Sequence, residues 1–131
     1  MEVLAPNLRS DFLEDNNIEI LGLKNCNKCR EAQKKLNELG YEARLIDVRQ
    51  NPITFDDANR LFSLFGDQIL NKRSTTFRGL SQLEKDCSVI ELLKKYPALM
   101  KRPVIISSTS NTIGWTTDTA NEWCDRSVVP L

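Results

Sequence analysis

The feature that most constrains the fold is a pair of cysteines, Cys26 and Cys29, at the junction between an apolar segment and an amphipathic one. Residues 18–23 form an apolar run between polar residues, which is typical of a buried strand. Apolar residues then recur at helical spacing until Gly40 ends the pattern. This pattern predicts that Cys26 lies at the start of a helix that directly follows a strand.

This predicted position favours the thiolate form of Cys26. The first backbone N–H groups of a helix have no intrahelical partner, and the helix dipole places partial positive charge at that end. Lys24, Lys28 and Arg30 add positive charge nearby. Because the thiolate is the nucleophilic form, we predict that Cys26 is reactive. Cys29 lies one helical turn away, where it can form a disulfide with Cys26 or resolve an adduct on it.

The Cys-x-x-Cys spacing also fits a metal site or two ordinary thiols. A zinc site needs further ligands, but the chain has no histidine, and its other cysteines, Cys87 and Cys124, are isolated. A redox pair is favoured because a thiol at a strand-to-helix junction is exposed and activated. We therefore expect no bound metal or cofactor. Cys87 and Cys124 are predicted to be buried small hydrophobic residues.

Composition narrows the class of protein. The 131 residues suit one domain, and 18 basic and 18 acidic residues give zero formal net charge, so no direct contact with nucleic acid is expected. Without histidine, a Cys-His or Ser-His-Asp site within this chain is excluded. No segment is predicted to span a membrane or to act as a secretory signal. We expect a monomer in the reducing cytoplasm.

The predicted elements begin with a βαβ unit and continue with helices. A strand at 42–48 follows the first helix, and such a crossover makes the two strands parallel. A helix is predicted at 55–65 with Thr54 as its N-cap, and another at about 88–95.

The predicted chain ends with a ββα unit. Strands at 104–106 and 113–115, with a polar turn between them, predict an antiparallel hairpin. Thr117 and Asp118 are candidate caps of a last helix. Two tryptophans, at 115 and 123, are expected to be packing residues.

The predicted fold class is α/β and thioredoxin-like. It consists of a βαβ unit, a helical insertion and a ββα unit, which form a small mixed sheet flanked by helices. The Cys-x-x-Cys after the first strand and Pro103 before the third strand favour this fold. Residues 1–17 are predicted to be an N-terminal leader, and residues 18–131 are predicted to form the domain.

Three blocks of this sequence resemble the arsenate reductase and Spx-type family, a group with the thioredoxin fold. They are residues 22–32 around the cysteine pair, residues 72–80 with an Arg-Ser step, and residues 97–106 with an Arg-Pro step. Their order and spacing also resemble those of the family, over about residues 18–124.

The resemblance implies roles for individual residues. Cys26 matches the nucleophilic cysteine, Arg73 and Arg102 match arginines that surround the thiolate or an oxyanion, and Pro103 matches a cis-proline. Guanidinium groups bind oxyanions through paired hydrogen bonds and lower the pKa of a nearby thiol. We further predict contacts with substrate for three residues: Asn25, Lys28 and Pro103.

The family contains enzymes and regulators. Its arsenate reductases use one reactive cysteine, three arginines and external thiols, but Ser110, Asn111 and Thr112 occupy the turn where the third arginine is expected. Its Spx-type regulators share the cysteine pair and a segment like Arg73-Ser74, bind RNA polymerase and use the pair as a redox switch. In length, the chain is closest to a short, thiol-reductase-like branch.

The sequence therefore predicts a thiol-dependent oxidoreductase. Cys26 is the predicted nucleophile and Cys29 the candidate resolving thiol, and the substrate is arsenate, a disulfide or a glutathione adduct. Glutathione, glutaredoxin or a thioredoxin-like protein is the expected external reductant. The alternative is an Spx-type redox-sensing regulator that binds RNA polymerase.

Overall fold

The computed structural model describes residues 17–108 and 110–125. The strands are β1 (Asn17–Gly22), β2 (Glu42–Asp47), β3 (Val104–Ile106) and β4 (Asn111–Ile113). The helices are α1 (Asn27–Glu38), α2 (Phe55–Phe65), α3 (Thr75–Arg78), α4 (Gln82–Lys85), α5 (Val89–Lys95) and α6 (Thr117–Asp125), with 3-10 turns at Gly66–Ile69 and Pro97–Leu99. Nearly all of the predicted leader lies outside the described residues.

The four strands form one mixed sheet in the order β2-β1-β3-β4. β1 pairs with β2 in parallel, whereas the β1–β3 and β3–β4 pairs are antiparallel. The sheet therefore confirms the predicted βαβ unit, the hairpin and the α/β class. Within the two described ranges, no helix is both long and apolar enough to cross a bilayer.

Each face of the sheet carries its own apolar core, because successive strand residues point to opposite faces. Leu21 and Val104 pack on the side that carries Leu61 of α2 and Leu93 of α5. The other face is covered by α1 and α6, and its core residues are Ile18, Ile20, Ala32, Leu36, Tyr41, Ala43, Ile105 and Trp123. Burial on both faces explains the apolar Ile18, Ile20 and Leu21 of β1, between which Glu19 is also buried.

The hairpin and the last helix each differ slightly from their predictions. The turn closes where Ser110 N–H donates to Ser107 Oγ at 2.9 Å, so β4 begins at Asn111. β4 ends before Gly114, which has a φ of 84°. The predicted strand at 113–115 is therefore displaced by two residues. The cap of α6 is Thr116, whose Oγ1 accepts from the Thr119 N–H at 3.2 Å.

Candidate functional site

Cys26 lies at the N-terminus of α1, directly after the loop that leaves β1. Its extended backbone, with φ −90° and ψ 119°, makes it the N-cap residue. The Cys26 N–H donates to Leu23 O at 3.1 Å, and Cys26 O accepts from Arg30 N–H at 3.1 Å. The side chain is half-buried. The predicted strand-to-helix position of the cysteine is confirmed.

Asp47, at the end of β2, holds the cysteine loop in place. Its carboxylate accepts from the Lys24 N–H at 2.9 Å and from the Arg49 N–H at 2.8 Å. The hydrogen bond from Lys24, followed by those from Arg49 and Gln50, lowers the pKa of the Asp47 carboxyl. Sequence analysis missed this residue. Its only signal was a carboxylate at the end of a strand predicted to run parallel to β1.

Arg102 is the cation that the fold brings to Cys26. It precedes Pro103 through a cis peptide bond, and its Nη1 donates to Ala98 O at 2.7 Å. Its guanidinium also acts on Cys26, because its charge and hydrogen-bonding groups lower the pKa of that thiol. The Nε of Arg102 is buried without a hydrogen-bond partner among the described residues. The hydrogen bond to Ala98 O is therefore the contact that orients the guanidinium.

The surroundings of Cys26 favour its thiolate. Burial by itself would raise the pKa of Cys26, but the backbone N–H and thiol of Cys29, and then Arg102, outweigh it and lower that pKa. The Cys29 N–H does not complete a capping hydrogen bond to the Cys26 sulfur. The dipole of this N–H group still directs positive charge toward Cys26.

Cys29 has the opposite character. Burial raises the pKa of the Cys29 thiol to about 12, and the nearby Cys26 sulfur adds to this effect, although the Leu23 N–H opposes it. Both cysteines are free thiols. The site therefore pairs a partly exposed thiol that favours ionisation with a buried one that keeps its proton. The Cys29 thiol is also in position to donate to the Cys26 sulfur.

Replacing Arg102 with methionine is expected to move the pH profile of Cys26 alkylation to higher pH. The guanidinium favours the thiolate through both a hydrogen bond and its charge, so its loss should slow alkylation at neutral pH about fivefold. The measurement is the alkylation rate against pH with Cys29 replaced by serine. Arg30→Met removes an equal charge from a side chain bonded to Asn27. An equal shift in both variants would contradict a specific role for Arg102.

Replacing Gly22 of β1 with alanine is expected to displace the buried Cys29 side chain, because β1 packs directly against it. A Cβ at position 22 would overlap the Cys29 sulfur and lie 3.3 Å from Cys29 Cβ. Overpacking of this kind should lower the free energy of unfolding by about 1–3 kcal/mol, as measured in urea. In a Cys29→Ala background the same change should cost clearly less. An undiminished cost there would show that the sulfur is not the obstacle.

The three predicted substrate contacts differ in exposure. Asn25 and Lys28 are exposed beside Cys26, and Lys28 lies 3.9 Å from Glu31 in an i,i+3 ion pair. Pro103 is buried, and its carbonyl accepts from the Gly114 N–H at 2.8 Å. Asn25 and Lys28 are therefore open to an incoming molecule, whereas Pro103 shapes the site from within.

Arg73 is exposed, and its carbonyl accepts from Arg78 Nη2 at 2.8 Å. The side chain lines an open cleft of about 490 Å³ together with Lys72 and Lys101. Of the predicted pair of arginines, Arg102 is the one that lowers the pKa of Cys26. The predicted place of Arg73 at the thiolate stays a prediction.

The stretch where a third arginine was expected is divided between the turn, which Ser110 closes, and β4, which begins at Asn111. Ser110 and Thr112 are buried, and Thr112 Oγ1 accepts from Trp123 Nε1 at 2.8 Å. No cation reaches the site from this segment. In the part of the chain that the structure describes, there is also no group of three or more His, Cys, Asp or Glu side chains that could hold a metal ion.

The prediction that the two other cysteines are buried is wrong. Cys87 and Cys124 are both exposed. Cys87 follows the short helix α4 and lines a depression of about 390 Å³ that shares no residue with the Cys26 site. Cys124 follows the buried Trp123 on α6, where the helical period turns it toward solvent.

A family model for the ArsC family matches residues 21–123, which is most of the chain. The chain belongs to the ArsC family. The matched segment contains the cysteine pair, Arg102 and the hairpin.

Relatives of this ArsC-family chain include proteins with different names. An uncharacterized protein of Haemophilus influenzae is 32% identical over 75% of this chain and 90% of its own length. The global transcriptional regulator Spx of Streptococcus pneumoniae is 30% identical over 78% of this chain and 81% of its own length. The relatives therefore include a named regulator.

Solved structures of ArsC-family proteins share the fold. A protein named YffB has a TM-score of 0.74 at 25% identity, and the match covers 82% of this chain and 98% of that one. An arsenate reductase from Vibrio cholerae has a TM-score of 0.65 at 17% identity, covering 86% and 98%. These matches confirm the predicted thioredoxin-like, ArsC-type fold.

Proposed function

We propose that this ArsC-family protein is a thiol-disulfide oxidoreductase. In this proposal, Cys26 attacks a disulfide, including a glutathione adduct, and Cys29 resolves the product. The observation that carries the proposal is the asymmetry of the pair. The pKa of the half-buried Cys26 is lowered, whereas burial raises the pKa of Cys29 to about 12. An accessible thiolate beside a protected thiol is the arrangement that two-step disulfide exchange needs.

The proposed reaction transfers two electrons from the cysteine pair to the substrate. The Cys26 thiolate attacks one sulfur of the disulfide, which forms a mixed disulfide and releases the first thiolate. Cys29 then attacks the Cys26 sulfur and expels the second thiolate, which takes up the Cys29 proton and leaves as a thiol, so that a Cys26–Cys29 disulfide remains. After burial, the Cys26 charge is one cause of the high pKa of Cys29. The mixed disulfide removes that charge and so eases the second step.

An external reductant has to restore the two thiols. We propose a small thiol such as glutathione, or a glutaredoxin or thioredoxin-like protein, acting in the cytoplasm. Cys26, Cys29 and Arg102 all belong to one chain, so the proposed chemistry needs no second copy of the protein, and we propose that it acts as a monomer.

A disulfide fits the described site better than arsenate does. Arsenate is a tetrahedral oxyanion, and such anions are usually held by several paired donors. Arg102 is the arginine that lowers the pKa of Cys26, while Arg73 lines a cleft with Lys72 and Lys101. We therefore place arsenate second as a substrate and include it in the same assay.

The test is to trap the first intermediate. Cys29→Ser protein incubated with glutathione disulfide should gain one glutathione on Cys26, which intact mass spectrometry and peptide mapping would show. The unmodified chain should instead form the Cys26–Cys29 disulfide and release two glutathione molecules. Turnover with thioredoxin and its reductase, with arsenate tried in parallel, completes the assay. If Cys26 never forms the adduct, the proposal fails.

A second candidate is a regulator of the Spx type. Its specific support is the 30% identity to a relative named global transcriptional regulator Spx, over 81% of that relative. In this candidate function the chain binds RNA polymerase, and the Cys26–Cys29 pair switches that binding. Purified RNA polymerase should then retain the protein in a manner that depends on the redox state of the pair. Retention without disulfide turnover would favour the regulator over the enzyme.

A further inference from the structure

A cleft lined by cations includes Lys101, the residue directly before Arg102 of the proposed reactive site. Lys72, Arg73 and Lys101 line it together with the amide side chains of Gln68 and Asn71, and its volume is about 490 Å³. Lys72, Arg73, Lys101 and Gln68 are exposed. We call these three cations and the space between them the basic cleft.

The cations of the basic cleft have no carboxylate within ion-pair distance in the described chain. None of its three cations forms an ion pair with a carboxylate among residues 17–108 and 110–125. Elsewhere in the same residues Lys28, Arg44 and Lys95 each have an acidic partner. The whole chain has zero formal net charge. A local excess of three positive charges is therefore a property of this surface and not of the protein as a whole.

The backbone fixes the two sides of the basic cleft against each other. Leu70 and Met100 form an isolated antiparallel bridge. Next to it, the Asn71 N–H donates to Leu99 O at 2.8 Å, and the Lys101 N–H donates to Ile69 O at 2.7 Å. Two segments that lie about 30 residues apart in sequence are thereby locked together, so the cations do not depend on a mobile loop for their positions.

The basic cleft and the reactive site contain neighbouring residues of one segment. Lys101 of the cleft directly precedes Arg102, whose guanidinium lowers the pKa of the Cys26 thiol. Consecutive Cα atoms are about 3.8 Å apart across a trans peptide bond. The backbone of the basic cleft is therefore one residue away from the arginine that acts on Cys26.

We propose that the basic cleft binds the carboxylates of a small disulfide substrate, so that the protein selects acidic disulfides over neutral or cationic ones. Lys72 and Lys101 act as specificity-determining residues in this proposal. Lysine ammonium groups are compact point charges that suit carboxylates on flexible ligands. This inference rests on the proposed function and specifies the substrate class for it.

The first test compares substrates that differ in charge and little else. The ratio of kcat/KM for dithiodipropionate to that for hydroxyethyl disulfide should fall about tenfold in the Lys72→Ala/Lys101→Ala double variant. In the unmodified protein the ratio should also fall as salt is added. The Lys34→Ala/Lys35→Ala variant removes the same charge from exposed positions on α1 and should keep the ratio.

Glutathione disulfide shows whether the cleft recognises any carboxylate or only the carboxylates of a peptide. If glutathione disulfide and dithiodipropionate both lose their higher kcat/KM relative to hydroxyethyl disulfide in the double variant, the cleft recognises carboxylates generally. A loss confined to glutathione disulfide supports recognition at the spacing of a peptide. If neither substrate loses its advantage relative to hydroxyethyl disulfide, the inference is overturned.

A second test needs no turnover. In a background where Cys29, Cys87 and Cys124 are replaced by serine, Cys26 reacts once with an aryl disulfide and releases a coloured thiol. The rate ratio of the anionic dithiobis(nitrobenzoate) to the neutral dipyridyl disulfide should fall severalfold when Lys72 and Lys101 are removed. If this rate ratio falls but the protein shows no catalytic turnover, the inference about the basic cleft stands and the proposed enzymatic function is refuted. If the protein turns over disulfides but the rate ratio does not change, the proposed function stands and the inference about the basic cleft is refuted.

Discussion

Replacing Cys26 with serine is expected to lower disulfide turnover by about a thousandfold or more. A serine hydroxyl needs a general base to become a nucleophile, and the chain has no histidine to supply one. The surroundings that lower the pKa of Cys26 act on a thiol, which ionises far more readily than a hydroxyl. The measurement is the rate of disulfide reduction coupled to a thioredoxin system at saturating reductant.

The pH profile of the native protein provides an independent check of the same expectation. Because the pKa of Cys26 is lowered, the thiolate fraction rises at a lower pH than it does for a free thiol with a pKa of about 8.5. The alkylation rate of Cys26 should therefore reach its plateau below the pH range of an ordinary cysteine. Cys29, with a pKa of about 12, should remain unreactive throughout.

Cys87→Ser is the matched control for the turnover experiment. Cys87 is also a free thiol, but it is exposed and lies in a depression that shares no residue with the Cys26 site. We expect this variant to retain full turnover. Equal losses in the Cys26 and Cys87 variants would refute the assignment of the nucleophile. Full turnover by Cys26→Ser would refute the proposed mechanism altogether.

Replacing Trp123 with alanine is expected to lower the free energy of unfolding by about 3–5 kcal/mol. Trp123 is 1% exposed and belongs to the core between the sheet, α1 and α6. Its indole Nε1 donates to Thr112 Oγ1 at 2.8 Å, and its ring meets that of Tyr41 edge to face at 5.7 Å. The substitution removes a large apolar volume, an aromatic contact and a hydrogen bond at once.

Urea unfolding followed by circular dichroism measures this loss, and two further variants divide it. Thr112→Val leaves the indole N–H buried without an acceptor, which should cost about 1–3 kcal/mol. Trp115→Ala removes an equal side chain that is only partly buried against the same core, so it should cost clearly less than Trp123→Ala. Equal costs at the two tryptophans would contradict the structural assignment of Trp123 to the core.

Local sequence patterns predicted the elements that place the reactive cysteine. The helical period from Ala32 to Leu36 and the apolar run before it located Cys26 at the start of α1. Thr54 was predicted as a cap, and it forms a capping box with Asp57. These features depend on neighbours within a few residues, so they can be read from the chain without knowledge of the fold.

The errors arose where neighbours distant in sequence or the direction of a side chain decided the outcome. Cys87 and Cys124 were predicted to be buried because cysteine usually is, but both positions face solvent. The family resemblance implies that Arg73 and Arg102 both surround the Cys26 thiolate. In the structure Arg102 lowers the pKa of Cys26 and Arg73 lines the basic cleft, so the role of Arg73 at the thiolate stays a prediction.

The sequence by itself determined the order of the elements, the helix start at Cys26 and the absence of an imidazole base. Only the tertiary structure decided that Cys29 is buried against Gly22, that Asp47 anchors the cysteine loop and that Lys72 and Lys101 share a cleft. Periodicity and capping are local properties of the chain. Burial, pKa and clustering of charge depend instead on contacts between segments that only folding brings together.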